Sequence, residues 1–191
     1  MHHFFAYLSR LKFIRRWGLM RSTQQENDAE HSLQVAMIAH GIALMGRQRY
    51  GREVDPEHVL ALAVYHDATE VITGDLPTPV KYHSPELRTS YKQLERLAAG
   101  KLLSMLPESM QGEYGKYLTD GEDYAHQVVK AADRISAYTK CMEEKRCGNH
   151  EFDAAGENVL RAIEGIELPE VKDFMAEFVP PFALTLDELN S

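Results

Sequence analysis

Apolar residues recur at helical spacing along nearly the whole chain, and no run of β-branched residues alternates with polar ones as a half-buried strand would. That periodicity predicts an all-α fold, since a period near 3.6 turns one helix face toward a core and a sheet needs a period of two. At 191 residues, without repeats, low-complexity tracts or a linker, positions 1–191 are expected to form a single domain with a sizeable core.

A first helix is expected over Phe4, Phe5, Leu8, Leu11 and Phe13, followed by a polar, irregular stretch from about Arg15 to Asp28. Asn27 with Glu30 three residues on has the spacing of a capping box, and the helix it opens carries Leu33, Val35, Ile38, Ile42 and Leu44 to near Gly51. Asp55 and Pro56 start a third helix through Leu60, Leu62 and Val64, with its end placed near Gly74. Two prolines then make Asp75 to Val80 an extended, stiff segment. Further helices are expected from Ser84 to about Leu106, weakly after Pro107, from Asp123 to Arg146, and around 153–163 and 170–178.

The net charge of −8 argues against a surface that neutralises the many phosphates of a nucleic-acid polymer, so any phosphate bound should be small and locally recognised. No stretch approaches the ~18 apolar residues of a membrane span, and the N-terminus lacks the basic region of a signal peptide. A cytoplasmic protein without membrane association is expected, with Cys141 and Cys147 as reduced thiols.

Chemistry concentrates on His31, the pair His66 and Asp67, and Asp133, placed on three separate expected helices and flanked by small or apolar residues such as Ala36, Ala68, Ala131 and Ala132. Each alone is more often a hydrogen-bonded structural group. Together, two imidazoles and two carboxylates form a donor set of intermediate hardness, suited to a divalent Mn, Co, Fe or Zn ion. Neighbours on a helix point about 100° apart, so His66 and Asp67 share one ion only if it lies beside their helix and His31 and Asp133 close the shell. Such an ion would acidify a water and polarise a P–O bond. Glu70, four residues after His66 and three after Asp67, falls one turn away and is the general-base candidate; the alternative is a hydrogen bond supporting His66.

The segments Phe4 to Lys12, Arg16-Trp17, Glu30 to Ala36, Tyr65 to Glu70, Thr73 to Tyr82 and Lys130 to Asp133 together resemble the bacterial HD-domain 5′-deoxynucleotidases of the YfbR type. The likeness runs over nearly the whole length. The His66-Asp67 signature is shared by several phosphohydrolase groups, whereas Arg16-Trp17 and the run Gly74 to Pro79 are far more specific.

This resemblance implies a helical homodimer in which His31, His66, Asp67 and Asp133 bind one divalent cation. It implies activity on deoxyribonucleoside 5′-monophosphates, with Arg16, Trp17, His31, Asp67, Asp75, Leu76, Pro77, Thr78 and Asp133 contacting the substrate. Arg16 would offer phosphate a planar, two-pronged donor and act in catalysis with Glu70. Trp17, the only tryptophan, would either pack against the sugar and disfavour a 2′-hydroxyl or pin its loop to the core. Asp75 would accept a hydrogen bond from a sugar hydroxyl or a water and is the second proton-transfer candidate. Competing readings are a cyclic-nucleotide or dinucleotide phosphodiesterase, a deoxynucleoside triphosphohydrolase, or a non-catalytic module that binds metal or nucleotide.

Overall fold

The computed structural model describes every residue except Tyr82, Asp120 and Ser191, and the side chains of Thr78 and Pro79 also lie outside the described part. Among the described residues the chain is helical, with no strand beyond an isolated antiparallel bridge between Arg15 and Asn27. The all-α expectation holds.

Helix α1 covers Phe4–Leu8, and its expected continuation is a separate 3₁₀ turn, Leu11–Phe13. Helix α2, Asp28–Tyr50, begins at Asn27, whose side chain accepts from the backbone N–H groups of Ala29 and Glu30, and stops at Gly51, held at φ 63° where glycine is favoured. Its buried stripe is Val35, Ile38, Ala39 and Ile42, so Leu33, expected on that face, stands 61% exposed.

Helix α3, Pro56–Tyr65, opens on an Asp55 cap as expected but ends nine residues earlier than the apolar pattern suggested. His66 to Thr69 form tightened turns in which the N–H groups of His66, Ala68 and Glu70 reach back three residues, and only then does one turn of helix, α4 (Glu70–Thr73), follow. The segment after Gly74 is likewise not extended throughout: its end coils into α5, Thr78–Lys81. Helices α6 (Pro85–Leu103), α7 (Glu108–Leu118), α8 (Tyr124–Arg146), α9 (Asp153–Glu164), α10 (Pro169–Phe178) and the short α11 (Leu186–Leu189) complete the chain.

Helices α2, α3 and α8 pack on one another around Val35, Ala39, Ile42, Val59, Leu62, Val128, Ala132 and Ile135. Alanines on the facing sides, Ala39, Ala43, Ala63, Ala131 and Ala132, let the backbones approach closely. A second cluster, Phe4, Ala68, Ala99, Leu102, Leu106 and Leu118, holds α1, α6 and α7 beside the α3–α4 turn. Cys141 is buried and Cys147 exposed, and both are free thiols. No described helix is long and apolar enough to cross a membrane.

Candidate active site

Three pieces of the core converge on one spot: the first turn of α2, the turn after α3, and the middle of α8. His31, His66 and Asp133 present one ligand atom each within 4.8 Å of one another. Asp67 joins them, its Oδ2 lying 3.1 Å from His66 Nε2 and 3.7 Å from His31 Nε2. Asp133 is the open side of the cluster, its side chain 42% exposed while His31 is fully buried.

The hydrogen-bond directions suit a cation. Ser136 Oγ donates to Gln34 Oε1 at 2.6 Å and therefore accepts from His31 Nδ1–H at 3.1 Å. In neutral His31 that leaves Nε2 as a lone pair, 3.0 Å from the Asp133 carboxylate, so two acceptors face each other with no proton between them. His66 Nδ1 donates to the Ala63 carbonyl at 2.7 Å, while its buried Nε2 makes no hydrogen bond. Backbone or side-chain partners on the far ring nitrogen are how metal-binding imidazoles are usually oriented.

Burial alone would suppress charge on His66, but Asp67 and Asp133 push it up to about 9; a divalent ion would take the place of that proton. Burial likewise disfavours the Asp67 charge, yet His66 and Arg16 hold its carboxyl well below the usual range. Asp133 is likewise held low, against burial, when the His31 and His66 rings carry protons, the positive charge that a divalent ion would replace.

Arg16 borders the cluster, with Nη1 3.2 Å from Asp67 Oδ2 and 3.7 Å from Asp28 Oδ1, and Nε 3.6 Å from Glu26. Burial works against its charge, but Asp67, Asp133, Glu26 and Asp75 raise its pKa further. Behind it, Asp28 is fully buried and Glu70 nearly so, and the two carboxyls lie within electrostatic reach of each other. Both oxygens of Asp28 and one of Glu70 are buried without accepting a hydrogen bond, although Asp28 Oδ1 faces Arg16 at 3.7 Å. Burial pushes Asp28 up to about 7, and burial with the charges of Asp67, Asp28 and Asp75 raises Glu70 strongly.

Asp75 lies within electrostatic reach of Arg16, Asp67 and His31, and burial raises its carboxyl. Its loop, with Leu76 and Pro77 half-buried, is tied to α6: Tyr91 donates to the Gly74 carbonyl at 3.3 Å, and Lys81 pairs with Glu95 at 2.8 Å. The Thr78 side chain lies outside the described residues. Trp17 donates from Nε1 to Glu26 Oε2 at 2.8 Å and meets Phe152 edge to face at 5.2 Å, so it pins its loop to the core. The structure thus brings Arg16, Glu70 and Asp75 around the His31, His66, Asp67 and Asp133 cluster.

Sequence reasoning missed Asp28, Glu26, Gln34 and Ser136. A signal existed for two of them: Gln34 and Ser136 each sit three residues after a candidate ligand, one turn along the same helix face. Asp28 was hidden behind the Asn27 cap, where an acid reads simply as favourable at a helix N-terminus.

A helical core with a His and Asp cluster between its helices that could hold a metal is seen alongside a close structural likeness to HD-domain phosphohydrolases. The chain superposes on an HD-domain phosphohydrolase from Listeria innocua with a TM-score of 0.80 at 26% identity, covering 99% of this chain and 92% of that one. It shares the fold of a cyanophage S-2L HD phosphohydrolase, seen bound to dA and one catalytic zinc ion, with a TM-score of 0.63 at 22% identity over 94% of this chain and 96% of that one.

Residues 3–182 match the family model described as 5′-deoxynucleotidase YfbR-like, and the chain belongs to that family. A 5′-deoxynucleotidase of Vibrio parahaemolyticus is 48% identical over 98% of both chains, and one of Photorhabdus laumondii is 47% identical over 100% of this chain and 98% of its own.

Proposed function

We infer that this protein is a metal-dependent phosphomonoesterase that hydrolyses deoxyribonucleoside 5′-monophosphates to deoxyribonucleoside and phosphate. The observation that carries this reading is the cluster of His31, His66, Asp67 and Asp133, with His66 Nε2 left unbonded and Arg16 at its edge, in a chain matching 5′-deoxynucleotidases end to end.

His31, His66, Asp67 and Asp133 would hold one divalent ion of the Mn, Co, Fe or Zn kind. When bound, it supplies Lewis acidity and a nucleophilic water at neutral pH. Arg16, already among carboxylates, orients the phosphate and neutralises its charge as the bond to phosphorus breaks. Glu70 would act as the proton-transfer group, for which its burial beside Asp67, Asp28 and Asp75 requires that it first give up the proton those charges favour. Asp75, Leu76 and Pro77 would form the wall against the sugar, Thr78 is proposed as a substrate contact from the family likeness alone, and Trp17 fixes the loop that carries Arg16. His31, Asp67 and Asp133 would also contact the substrate.

Lys81, one of the few cations near the site, is engaged by Glu95 and lies over the Tyr91 ring at 4.5 Å, which supports a monophosphate over a triphosphate. We place the enzyme in the cytoplasm as a homodimer. Leu33 and Met37, one turn apart on α2 and both exposed, offer apolar surface for a second copy.

The test is phosphate release from matched deoxyribo- and ribonucleoside monophosphates, a triphosphate and a cyclic phosphodiester, with several divalent metals. Faster turnover of the phosphodiester or triphosphate than of any deoxyribonucleoside monophosphate would overturn the reading.

A further inference from the structure

Lys140 and Glu144, one turn apart near the end of α8, form an ion pair at 2.5 Å that is 5% and 1% exposed. Burying two charges costs several kcal/mol of desolvation, which one mutual contact rarely recovers, so the pair must be supported by other bonds. Those bonds come from the irregular loop between residues 15 and 28.

Glu144 Oε2 accepts from Thr23 N–H at 2.8 Å, from Thr23 Oγ1 at 2.7 Å and from Asn149 Nδ2 at 2.8 Å, and Oε1 accepts from Gln24 N–H at 3.3 Å. Lys140 Nζ donates to the Gln24 carbonyl at 2.6 Å. Asn149 Nδ2 also reaches the Arg21 carbonyl at 2.7 Å, and the Arg21 N–H finds Glu151 at 3.0 Å. Backbone groups that no regular element serves are thus satisfied by one end of α8 and the turn after it. Burial alone would push the Glu144 carboxyl up, but the bonds from Lys140, Asn149 and Thr23 hold it well below the usual range.

The other half of the loop carries Arg16 and Trp17. The Arg16 N–H donates to the Glu26 carbonyl at 3.1 Å, and the Asp28 N–H to Ile14 at 3.1 Å, so the two arms are joined at their base. Trp17 sits at φ 61°, the sole non-glycine at positive φ among the described residues. That conformation costs roughly 1–2 kcal/mol and persists only where the surroundings impose it. They do so through Glu26 and through Phe152, whose ring also lies 5.9 Å from Lys140 Nζ. The seat of Trp17 and the clamp on Thr23 and Gln24 are therefore one packed unit.

We propose that the buried Glu144–Lys140 pair is a positioning device for the Arg16–Trp17 loop, through which the end of α8 sets the enzyme's affinity for its phosphate-bearing substrate. The part concerning affinity rests on the reading that Arg16 binds the nucleotide's phosphate. The part concerning the loop stands on the contacts alone.

Because Trp17 is the only tryptophan, its fluorescence reports the loop directly. In the metal-loaded protein, Glu144→Gln is expected to shift the emission to longer wavelength and raise acrylamide quenching. Its KM for a deoxyribonucleoside monophosphate should rise about tenfold while kcat changes by less than about threefold, the pattern of weakened binding without lost chemistry. Far-UV circular dichroism and metal content should not change. Thr23→Val, which removes a single hydroxyl bond, should move emission and KM in the same direction by less, and it serves if Glu144→Gln does not fold. Unchanged Trp17 emission in the folded variants would overturn the proposal. So would a shifted emission with unchanged KM, provided Arg16→Ala raises KM. An Arg16→Ala enzyme with normal KM would instead refute the substrate-binding reading, and the emission shift would still decide whether the clamp exists.

Discussion

Removing the Ser136 hydroxyl should weaken metal binding without touching a ligand. Ser136 and His31 are both fully buried, and the Gln34–Ser136–His31 chain fixes the His31 proton on Nδ1, leaving Nε2 free to bind an ion. In Ser136→Ala the proton at Nδ1 keeps only the longer 3.8 Å approach to Glu26 Oε1, while at Nε2 it finds the Asp133 carboxylate 3.0 Å away. The favoured tautomer therefore reverses, and an incoming cation must displace a proton held by a charge-assisted hydrogen bond. Loss of such a supporting partner costs about 10–100-fold in metal affinity, or about 1.4–2.8 kcal/mol. Competition with a chromophoric chelator for Zn²⁺ or Mn²⁺ at fixed pH measures it, and Ser136→Thr, which keeps the hydroxyl, should recover most of the loss. A folded Ser136→Ala protein that binds metal as tightly as the parent would refute the tautomer argument.

Glu70→Gln should retain metal but lose about 10²–10⁴-fold in kcat, the usual worth of a positioned proton-transfer group, as measured by steady-state turnover beside metal analysis. A fall in metal content would instead make Glu70 a support for the ligands, with Asp75→Asn next to be assayed. Because its folded-state pKa is depressed, Glu144 contributes stability that is fully present above its unfolded pKa of about 4.3 and is lost progressively as pH falls from there through the folded-state pKa. The gap between the urea midpoints of the parent and Glu144→Gln should accordingly be smaller at pH 3 than at pH 6; an equal gap at both would count against it. Leu33→Glu with Met37→Glu should shift the protein from dimer to monomer in light scattering if those residues form the contact, and leave it unchanged if they do not.

The helices that carry the core were legible because each has a local signal: the Asn27 and Asp55 caps accept backbone hydrogen bonds as expected, and Ser84 and Asp123, expected as helix starts, do the same. Leu33 was misplaced because an apolar residue near a helix start does not say which side the partner helices occupy, and that is settled only by α3 and α8. The cluster His31, His66 and Asp133 could be anticipated from ligand types and their small neighbours. Its supporting groups could not, since Asp28, Glu26 and Ser136 acquire meaning only through contacts between segments distant in sequence. The clamp on residues 21–24 lay equally out of reach, as its partners Thr23 and Glu144 are 121 positions apart.

The early end of α3 bears on the chemistry as well as the fold. On a regular helix His66 and Asp67 would diverge by about 100°, and Glu70 would follow on the same straight face. Here the backbone tightens through successive three-residue hydrogen bonds from Ala63 to Glu70, and the Ala63 carbonyl accepts from both the backbone N–H and the ring Nδ1 of His66. His66 Nε2 and Asp67 Oδ2 end 3.1 Å apart, both beside His31, and Glu70 is turned back against Asp28. Ala68, in the middle of the turn, is fully buried against the second core cluster, so the irregular segment is clamped by packing as well as by its own bonds. A larger side chain there would have to push the turn outward, separating the two ligands that the tightened backbone brings together.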